Sequence, residues 1–251
     1  MSRFVLVHGS WHGRWVWDGV SADLLARGHE VEAPDLAGRG QDPRPPAEIT
    51  LTDHVDLVSE AVESSHRPAI LVGHSFGGFV ISHVAERVPD RLELLVYLAA
   101  FLLRDGETVL GVARPAPAAV PHLDVREDAG LISVRPDAAR EVFYHDCSAE
   151  DADRATALLV PEALTPRRTP AELTAERFGR VPRVYIETVD DRALPLELQR
   201  RMQAALPCRD VVSLESGHSP FLSMPGTLAE RLAEAATSTG DTFRRRGSSV
   251  P

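Results

Sequence analysis

The ten residues ILVGHSFGGF, at positions 70–79, constrain the fold of this chain more than any other stretch. A short apolar run ends abruptly at Gly73, and the residues from Gly78 to Arg87 are compatible with a helix. The letters GHSFG match the pattern G-x-S-x-G of a nucleophile elbow, a tight and strained turn between a strand and a helix. Small residues flank the serine of such a turn because neighbouring segments come close to it. A glycine-rich turn without a catalytic serine could have the same sequence, so other parts of the chain are needed to distinguish the two interpretations.

Length and charge limit the classes of protein to which the chain can belong. Its 251 residues suit one α/β domain, which buries enough surface to fold without a metal or a disulfide. The formal net charge of −10 disfavours nucleic acid or an anionic membrane surface as the main partner. There is no lysine, and Cys147 and Cys208 lack metal-ligand spacing. We therefore expect neither a metal nor a cofactor.

The amino-terminal residues indicate a cytoplasmic protein. The apolar run at residues 4–7 is too short for the core of a signal peptide. No apolar run approaches the roughly 20 residues that a membrane span needs. The oligomeric state is open at this point, with a homodimer as one option.

Strand and helix patterns alternate along most of the chain. Strands are predicted at residues 4–7, 29–33, 92–98, 183–187 and 210–214, and another leads from Pro68 into the serine turn. Helices are predicted after most of these strands, including 196–206 and 220–236. This alternation predicts an α/β fold with a mostly parallel central sheet and helices on both faces.

The stretch at residues 103–180 interrupts the alternation. It carries seven prolines, with short helical pieces between them. We interpret it as a helical cap inserted into a single domain that spans residues 1–236. The small and polar residues 237–251 are expected to form a flexible tail.

A serine nucleophile needs a base, and histidine has a suitable pKa of about 6.5. Among ten histidines, His218 lies in a loop directly after a late predicted strand, where a parallel sheet brings a base to the serine turn. His8, His12 and His74 lie near the same edge of the sheet. We expect these three to hold loops through hydrogen bonds instead.

The third member of the site is a carboxylate that orients the imidazole and stabilises its charged form. Asp191 follows the predicted strand at residues 183–187, and the order Ser75, Asp191, His218 is that of an α/β-hydrolase. Asp190 is the near competitor, and Asp105 is the distant one.

Two backbone N–H groups are needed to stabilise the oxyanion of a tetrahedral intermediate. The residue after the nucleophile, Phe76, supplies one of them. The loop after the first strand supplies the other, and Ser10 is the predicted donor because Gly9 lets the backbone come close.

Longer segments resemble the α/β-hydrolase branch that contains plant methylesterases, such as salicylic-acid-binding and methyl-jasmonate esterases, and hydroxynitrile lyases. The similar segments are FVLVHGSWHGRWVW (4–17), PDL (34–36), LVGHSFGG (71–78), YHDCS (144–148), RFGRVPRVYI (177–186) and the loops of Asp191 and His218. The resemblance implies the same triad and the same oxyanion donors. The absence of lysine and asparagine indicates a GC-rich bacterial source.

Two positions differ from the lyases of this branch. In those enzymes a threonine replaces the glycine after the first histidine, and a lysine that holds cyanide follows the catalytic histidine. This chain has Gly9 and Ser219 at those positions. The resemblance therefore favours ester hydrolysis over cyanohydrin cleavage.

The sequence predicts a serine hydrolase that cleaves a small methyl or aryl carboxylic ester through an acyl-enzyme on Ser75. The predicted substrate pocket is apolar, and it is lined by Trp11, Phe101, Leu102, Phe143 and Leu159. Three alternatives stay open: hydrolysis of a lactone, thioester or amide in secondary metabolism, a lyase that works without the lysine, and a binding protein without catalysis.

Overall fold

The computed structural model describes residues 1–113 and 122–237. Its strands are β1 (Arg3–Val7), β2 (Glu30–Glu32), β3 (Ala69–His74), β4 (Leu92–Leu98), β5 (Leu123–Arg126), β6 (Leu131–Val134), β7 (Glu162–Ala163), β8 (Arg183–Thr188) and β9 (Asp210–Leu214). Six of them form one sheet in the order β2-β1-β3-β4-β8-β9, and every neighbouring pair is parallel. The predicted parallel α/β sheet is confirmed.

Helices cover both faces of this sheet. They are α1 (Asp18–Ala26), α2 (Leu51–Glu63), α3 (Phe76–Arg87), α4 (Val109–Ala113), α5 (Pro136–Phe143), α6 (Ala149–Ala157), α7 (Thr165–Arg168), α8 (Leu196–Ala205), α9 (Pro220–Ser223) and α10 (Pro225–Thr237). One apolar core packs α2, α3 and α8 against the sheet, and another packs α1 and α10 against the opposite face. None of the described helices has the length and apolarity of a transmembrane span.

The central strands are buried on both faces, which explains their continuous apolar sequences. Every residue of β1 and β3 is buried, and β3 lies between β1 and β4. Parallel strands end at the same edge of the sheet, so the loops after β1, β3, β8 and β9 meet there. This edge holds the candidate site.

The segment at residues 103–180, here called the cap, lies between β4 and β8 in the chain. It contains the short helices α4 to α7, as its prolines suggest. It also contains an antiparallel sheet in the order β5-β6-β7, which the sequence pattern did not predict. These strands have two to four residues and, within the described part of the cap, pair only with one another, so their local sequence carries little strand signal. The expected tail beyond residue 237 lies outside the described residues.

Candidate active site

Ser75 lies at the junction of β3 and α3, in the turn that the sequence predicts. Its backbone has φ of +52° and ψ of −120°, a strained conformation for a residue with a side chain. A Cβ atom on Gly73 would be 2.6 Å from the carbonyl oxygen of Gly77, and one on Gly77 would be 2.7 Å from the carbonyl oxygen of His8. The flanking glycines are therefore required by close backbone contacts at this turn.

His218 follows β9, and its ring is tied to Asp191. Its Nδ1 atom donates a hydrogen bond of 2.8 Å to Oδ2 of Asp191, and both side chains are buried. The ring of His74 lies beneath it, with the ring centres 4.6 Å apart, and Nε2 of His74 donates to the carbonyl oxygen of His218. The imidazole is thus fixed at Nδ1 and at its backbone, which leaves Nε2 as the nitrogen available for chemistry.

Asp191 is held by several donors in the loop after β8. Its Oδ1 atom accepts the N–H groups of Ala193 at 2.8 Å and Leu194 at 2.7 Å. Its Oδ2 atom accepts from Thr188 and Gln199 as well as from His218. These hydrogen bonds fix the orientation of the carboxylate.

The two competing carboxylates lie elsewhere. Asp190 is exposed, and Asp105 is exposed and accepts the N–H of Leu173. Within the described part of the chain, neither carboxylate contacts His218. The geometry supports the choice of Asp191.

The loop after β1 contacts the serine turn directly. A Cβ atom on Gly9 would be 2.8 Å from Cβ of Ser75, so only glycine allows this approach. Ser10, the next residue, is buried, and Phe76 is the first residue of α3. This arrangement is consistent with Ser10 and Phe76 as the predicted oxyanion donors.

The neighbouring histidines are buried and hold the loop. Burial lowers the pKa of His12 to about 4, where its Nδ1 donates to the carbonyl oxygen of Ser10 and its Nε2 accepts from the hydroxyl of Tyr144 at 2.7 Å. Burial also lowers the pKa of His8 to about 3, and that of His74 well below 6.5. These three rings are neutral near pH 7, in keeping with the structural role predicted for them.

Comparison with known proteins identifies the family. The model of the alpha/beta hydrolase family matches residues 4–231 of the chain. The chain belongs to the alpha/beta hydrolase family.

Individual relatives place this alpha/beta hydrolase in the predicted branch. It is 34% identical over 249 residues to the pyrethroid hydrolase of Sphingobium wenxiniae, which covers 94% of this chain and 88% of the relative. It is 33% identical over 251 residues to salicylic acid-binding protein 2 of Nicotiana tabacum, with coverage of 93% and 96%. The crystal structure of a pyrethroid hydrolase from Sphingobium faniae superposes with a TM-score of 0.87 at 31% identity, covering 95% of this chain and 98% of the other. The predicted resemblance is confirmed.

A cavity of about 230 Å³ opens between the cap and the carboxyl edge of this alpha/beta hydrolase sheet. Both Ser75 and His218 line it. Three of the predicted pocket residues also line it, namely Trp11, Phe101 and Phe143. The other two lie elsewhere: Leu102 is in the core beneath the sheet edge, and Leu159 packs among apolar residues of the cap.

One group of charged residues at this cavity was not anticipated from the sequence. Arg167, on α7 of the cap, is only 5% exposed and lines the cavity. Its Nε atom donates to Glu162 at 2.8 Å, and its Nη2 atom donates to the hydroxyl of Ser10. Arg39 donates to the other oxygen of Glu162 at 3.3 Å. The stretch TPRRTP resembles an exposed turn, and only the tertiary fold shows that its first arginine is buried.

Proposed function

We propose that this alpha/beta hydrolase cleaves a small carboxylic ester through an acyl-enzyme on Ser75. The observation that carries the proposal is the hydrogen bond of 2.8 Å between His218 and Asp191, in a site where His218 and Ser75 line one cavity. The names of the similar proteins support ester hydrolysis: one is a pyrethroid hydrolase and another a carbendazim hydrolyzing esterase.

Acylation begins when Nε2 of His218 accepts the proton of the Ser75 hydroxyl as its oxygen attacks the ester carbonyl. Asp191 stabilises the imidazolium that results, without itself taking the proton. The tetrahedral intermediate then collapses, the bond to the alcohol breaks, and His218 returns the proton to the departing alkoxide. The alcohol leaves and the acyl group remains on Ser75.

Deacylation repeats the sequence with water as the nucleophile. His218 removes a proton from the water molecule as its oxygen attacks the acyl-enzyme, and then protonates Ser75 as the carboxylic acid departs. In both halves the negative oxygen would be stabilised by the N–H groups of Ser10 and Phe76, which are proposed as the oxyanion hole. The left-handed backbone of Ser75 supports this proposal because it directs the hydroxyl to the edge where both residues lie.

The surroundings of the triad favour hydrolysis over cyanohydrin cleavage. A side chain at position 9 would collide with Ser75, because even a Cβ atom there would be 2.8 Å from its Cβ. Ser219, directly after the proposed base, is fully buried and carries no positive charge. The site therefore has no hydroxyl at position 9 and no cation at position 219 for binding cyanide.

Replacement of Ser75 by alanine tests the proposal. The purified Ser75→Ala variant is expected to show no turnover of a panel of methyl and aryl esters, whereas the wild type accumulates an acyl adduct visible by intact mass. A Ser82→Ala variant is a matched control, because Ser82 is buried on α3 but donates its hydroxyl hydrogen bond within that helix. Wild-type rates in Ser75→Ala would refute the mechanism.

The partner in this proposal is the small-molecule ester alone, and the chemistry of the triad needs no cofactor. The cytoplasmic location, the bacterial source and a homodimer stay predictions from the sequence.

A further inference from the structure

The guanidinium of Arg167 occupies a fixed position beside the proposed oxyanion hole. Its Nη2 atom contacts the hydroxyl of Ser10, and its central carbon is 5.7 Å from the centre of the Phe76 ring. The same carbon lies 4.6 Å from the centre of the Trp11 ring, within the range of a cation–π contact. Arg167 is therefore placed next to both residues whose N–H groups would bind the oxyanion.

Arg167 belongs to a group of charged side chains beside the cavity. Arg39 and Arg167 are both cationic and share one carboxylate, that of Glu162. Burial acts to raise the pKa of Glu162, but the charges of Arg167 and Arg39 hold it below its ordinary value, so that the carboxylate is ionised. The neighbouring His12 is neutral because burial lowers its pKa to about 4. Asp35, whose side chain is 26% exposed, also acts on the charge of Arg39. Arg167 thus shares the carboxylate of Glu162 with a second cation in a region with little water.

One nitrogen of Arg167 is left for a ligand. Its Nε and Nη2 atoms are engaged by Glu162 and Ser10, whereas Nη1 has no hydrogen-bond partner within residues 1–113 and 122–237. Arg167 lines the cavity, so Nη1 is the guanidinium nitrogen that remains for a ligand there. A buried guanidinium with an accessible donor favours an anionic acceptor.

The remaining lining of the cavity does not supply this acceptor. Arg168 and Glu127 also line it, but they pair with each other and both are exposed. Burial lowers the pKa of His122, which is therefore neutral near pH 7. Most other lining side chains are apolar, as with Ile132 and Leu164.

We propose that Arg167 binds a carboxylate on the acyl group of the substrate, so that the enzyme prefers monoesters of short dicarboxylic acids. The inference rests on the proposed ester hydrolysis and names its substrate class. Because Arg167 adjoins Ser10 and Phe76, the carboxylate has to lie within a few bonds of the scissile carbonyl. The apolar remainder of the cavity accommodates the carbon chain and the alcohol.

The test compares two esters that differ in charge. One is monomethyl succinate, and the other is its isostere with an isopropyl group in place of the carboxylate. In Arg167→Met, kcat/KM for the succinate ester is expected to fall by about 10- to 100-fold relative to the isostere, because a charge-assisted interaction is lost. Folding should survive, because Glu162 keeps Arg39 as its partner; the melting temperature checks this.

Arg135→Met is the matched control. It removes the same formal charge from an exposed ion pair with Asp137 that is not part of the cavity lining, and should change the ratio of the two kcat/KM values by less than about threefold, because solvent screens that charge. An equal loss of kcat/KM on both esters in Arg167→Met would overturn the proposal. It would indicate that Arg167 only stabilises the loop of Ser10. An unchanged ratio would also overturn it.

A binding experiment separates this inference from the proposed chemistry. Calorimetry with monomethyl succinate is run on Ser75→Ala and on the double variant Ser75→Ala with Arg167→Met. The single variant should bind the ester at least about tenfold more tightly than the double variant. Equal affinities would overturn the anion site even if hydrolysis is real, and the expected difference would support the site even if Ser75 proved not to be the nucleophile.

Discussion

In the part of the chain that the structure describes, strained non-glycine backbone lies around the candidate site. Within the described residues, the non-glycine residues with positive φ are Trp11, Ser75 and Ala99, and they follow β1, β3 and β4 at one edge of the sheet. Such conformations cost about 1–3 kcal/mol each and persist only where the surroundings enforce them. For Trp11 the enforcing contacts include its N–H, which donates to Glu162, and its carbonyl oxygen, which accepts from Val160. The cap therefore holds the loop after β1 in its strained form.

The assignment of Asp191 as the carboxylate that orients His218 can be tested by comparing it with its neighbour Asp190. Asp191→Asn is expected to lower kcat by roughly 10⁴-fold, because an amide at this position favours the wrong imidazole tautomer and cannot stabilise the imidazolium. Asp190→Asn is the control, since Asp190 is exposed and, among residues 1–113 and 122–237, only its backbone N–H is engaged, with the carbonyl oxygen of Ser216. Initial rates on one activated ester measure both. A comparable loss in Asp190→Asn would mean that the wrong carboxylate has been assigned.

At the scale of elements, the cap contacts the loop that carries His218. Asp146, after α5, accepts the N–H of Gly217 at 2.7 Å and the hydroxyl of Ser216 at 3.0 Å. A Cβ atom on Gly217 would be 2.6 Å from the ring of His145, so the loop packs closely against this part of the cap. The stretch YHDCS, which contributed to the resemblance, thus has a physical role in placing the loop after β9.

Removal of the Asp146 carboxylate should disturb catalysis more than binding. Asp146→Ala is expected to lower kcat by about 10- to 100-fold with a small change in KM, because a displaced imidazole reacts poorly while the cavity is retained. Asp153→Ala is a matched control, since Asp153 pairs with Arg140 on the exposed side of the cap. Steady-state kinetics and the melting temperature are measured together. A raised KM with unchanged kcat would show that Asp146 serves the cavity rather than His218.

At the scale of the whole molecule, the strands of the parallel sheet could be predicted to within about two residues at each end. Their apolar runs are long because both faces are buried. The helix predicted at 220–236 is instead divided into α9 and α10, with the break at Met224, whose extended φ of −148° precedes Pro225. The strands of the cap were not predicted, because pairing within the folded cap defines them rather than local propensity.

Some residues of the candidate site can likewise be predicted from the local sequence, whereas others are recognised only from the tertiary fold. Ser75, Asp191 and His218 could be chosen from the sequence because parallel strands deliver their loops to one edge. Arg167 and Glu162 could not, because their further partners Ser10 and Arg39 lie on other segments and a charged turn is ordinarily exposed. Leu102 and Leu159 are apolar residues near the mouth of the sheet or in the cap, and these two properties do not distinguish a cavity wall from core packing.

Buried histidines make the stability of the whole molecule dependent on pH. Burial lowers the pKa of His8 to about 3 and the pKa values of His12 and His54 to about 4, against about 6.5 in the unfolded chain. Near pH 7 these three imidazoles are mostly unprotonated in both the folded protein and the unfolded chain. As the pH falls below 6.5 the unfolded chain binds protons that the folded protein does not, so the free energy of unfolding decreases.

This linkage predicts a loss of stability between pH 7 and pH 5 of up to about 2 kcal/mol for each of these three histidines. Urea unfolding at the two pH values measures it. His54→Leu should reduce the pH dependence by one such increment, because His54 is buried against Phe76 and its Nδ1 atom has no partner within the described residues. Exposed His66, changed to glutamine, should leave the pH dependence as it is in the wild type. Equal unfolding free energies at pH 7 and pH 5 would contradict the burial of neutral imidazoles around this site.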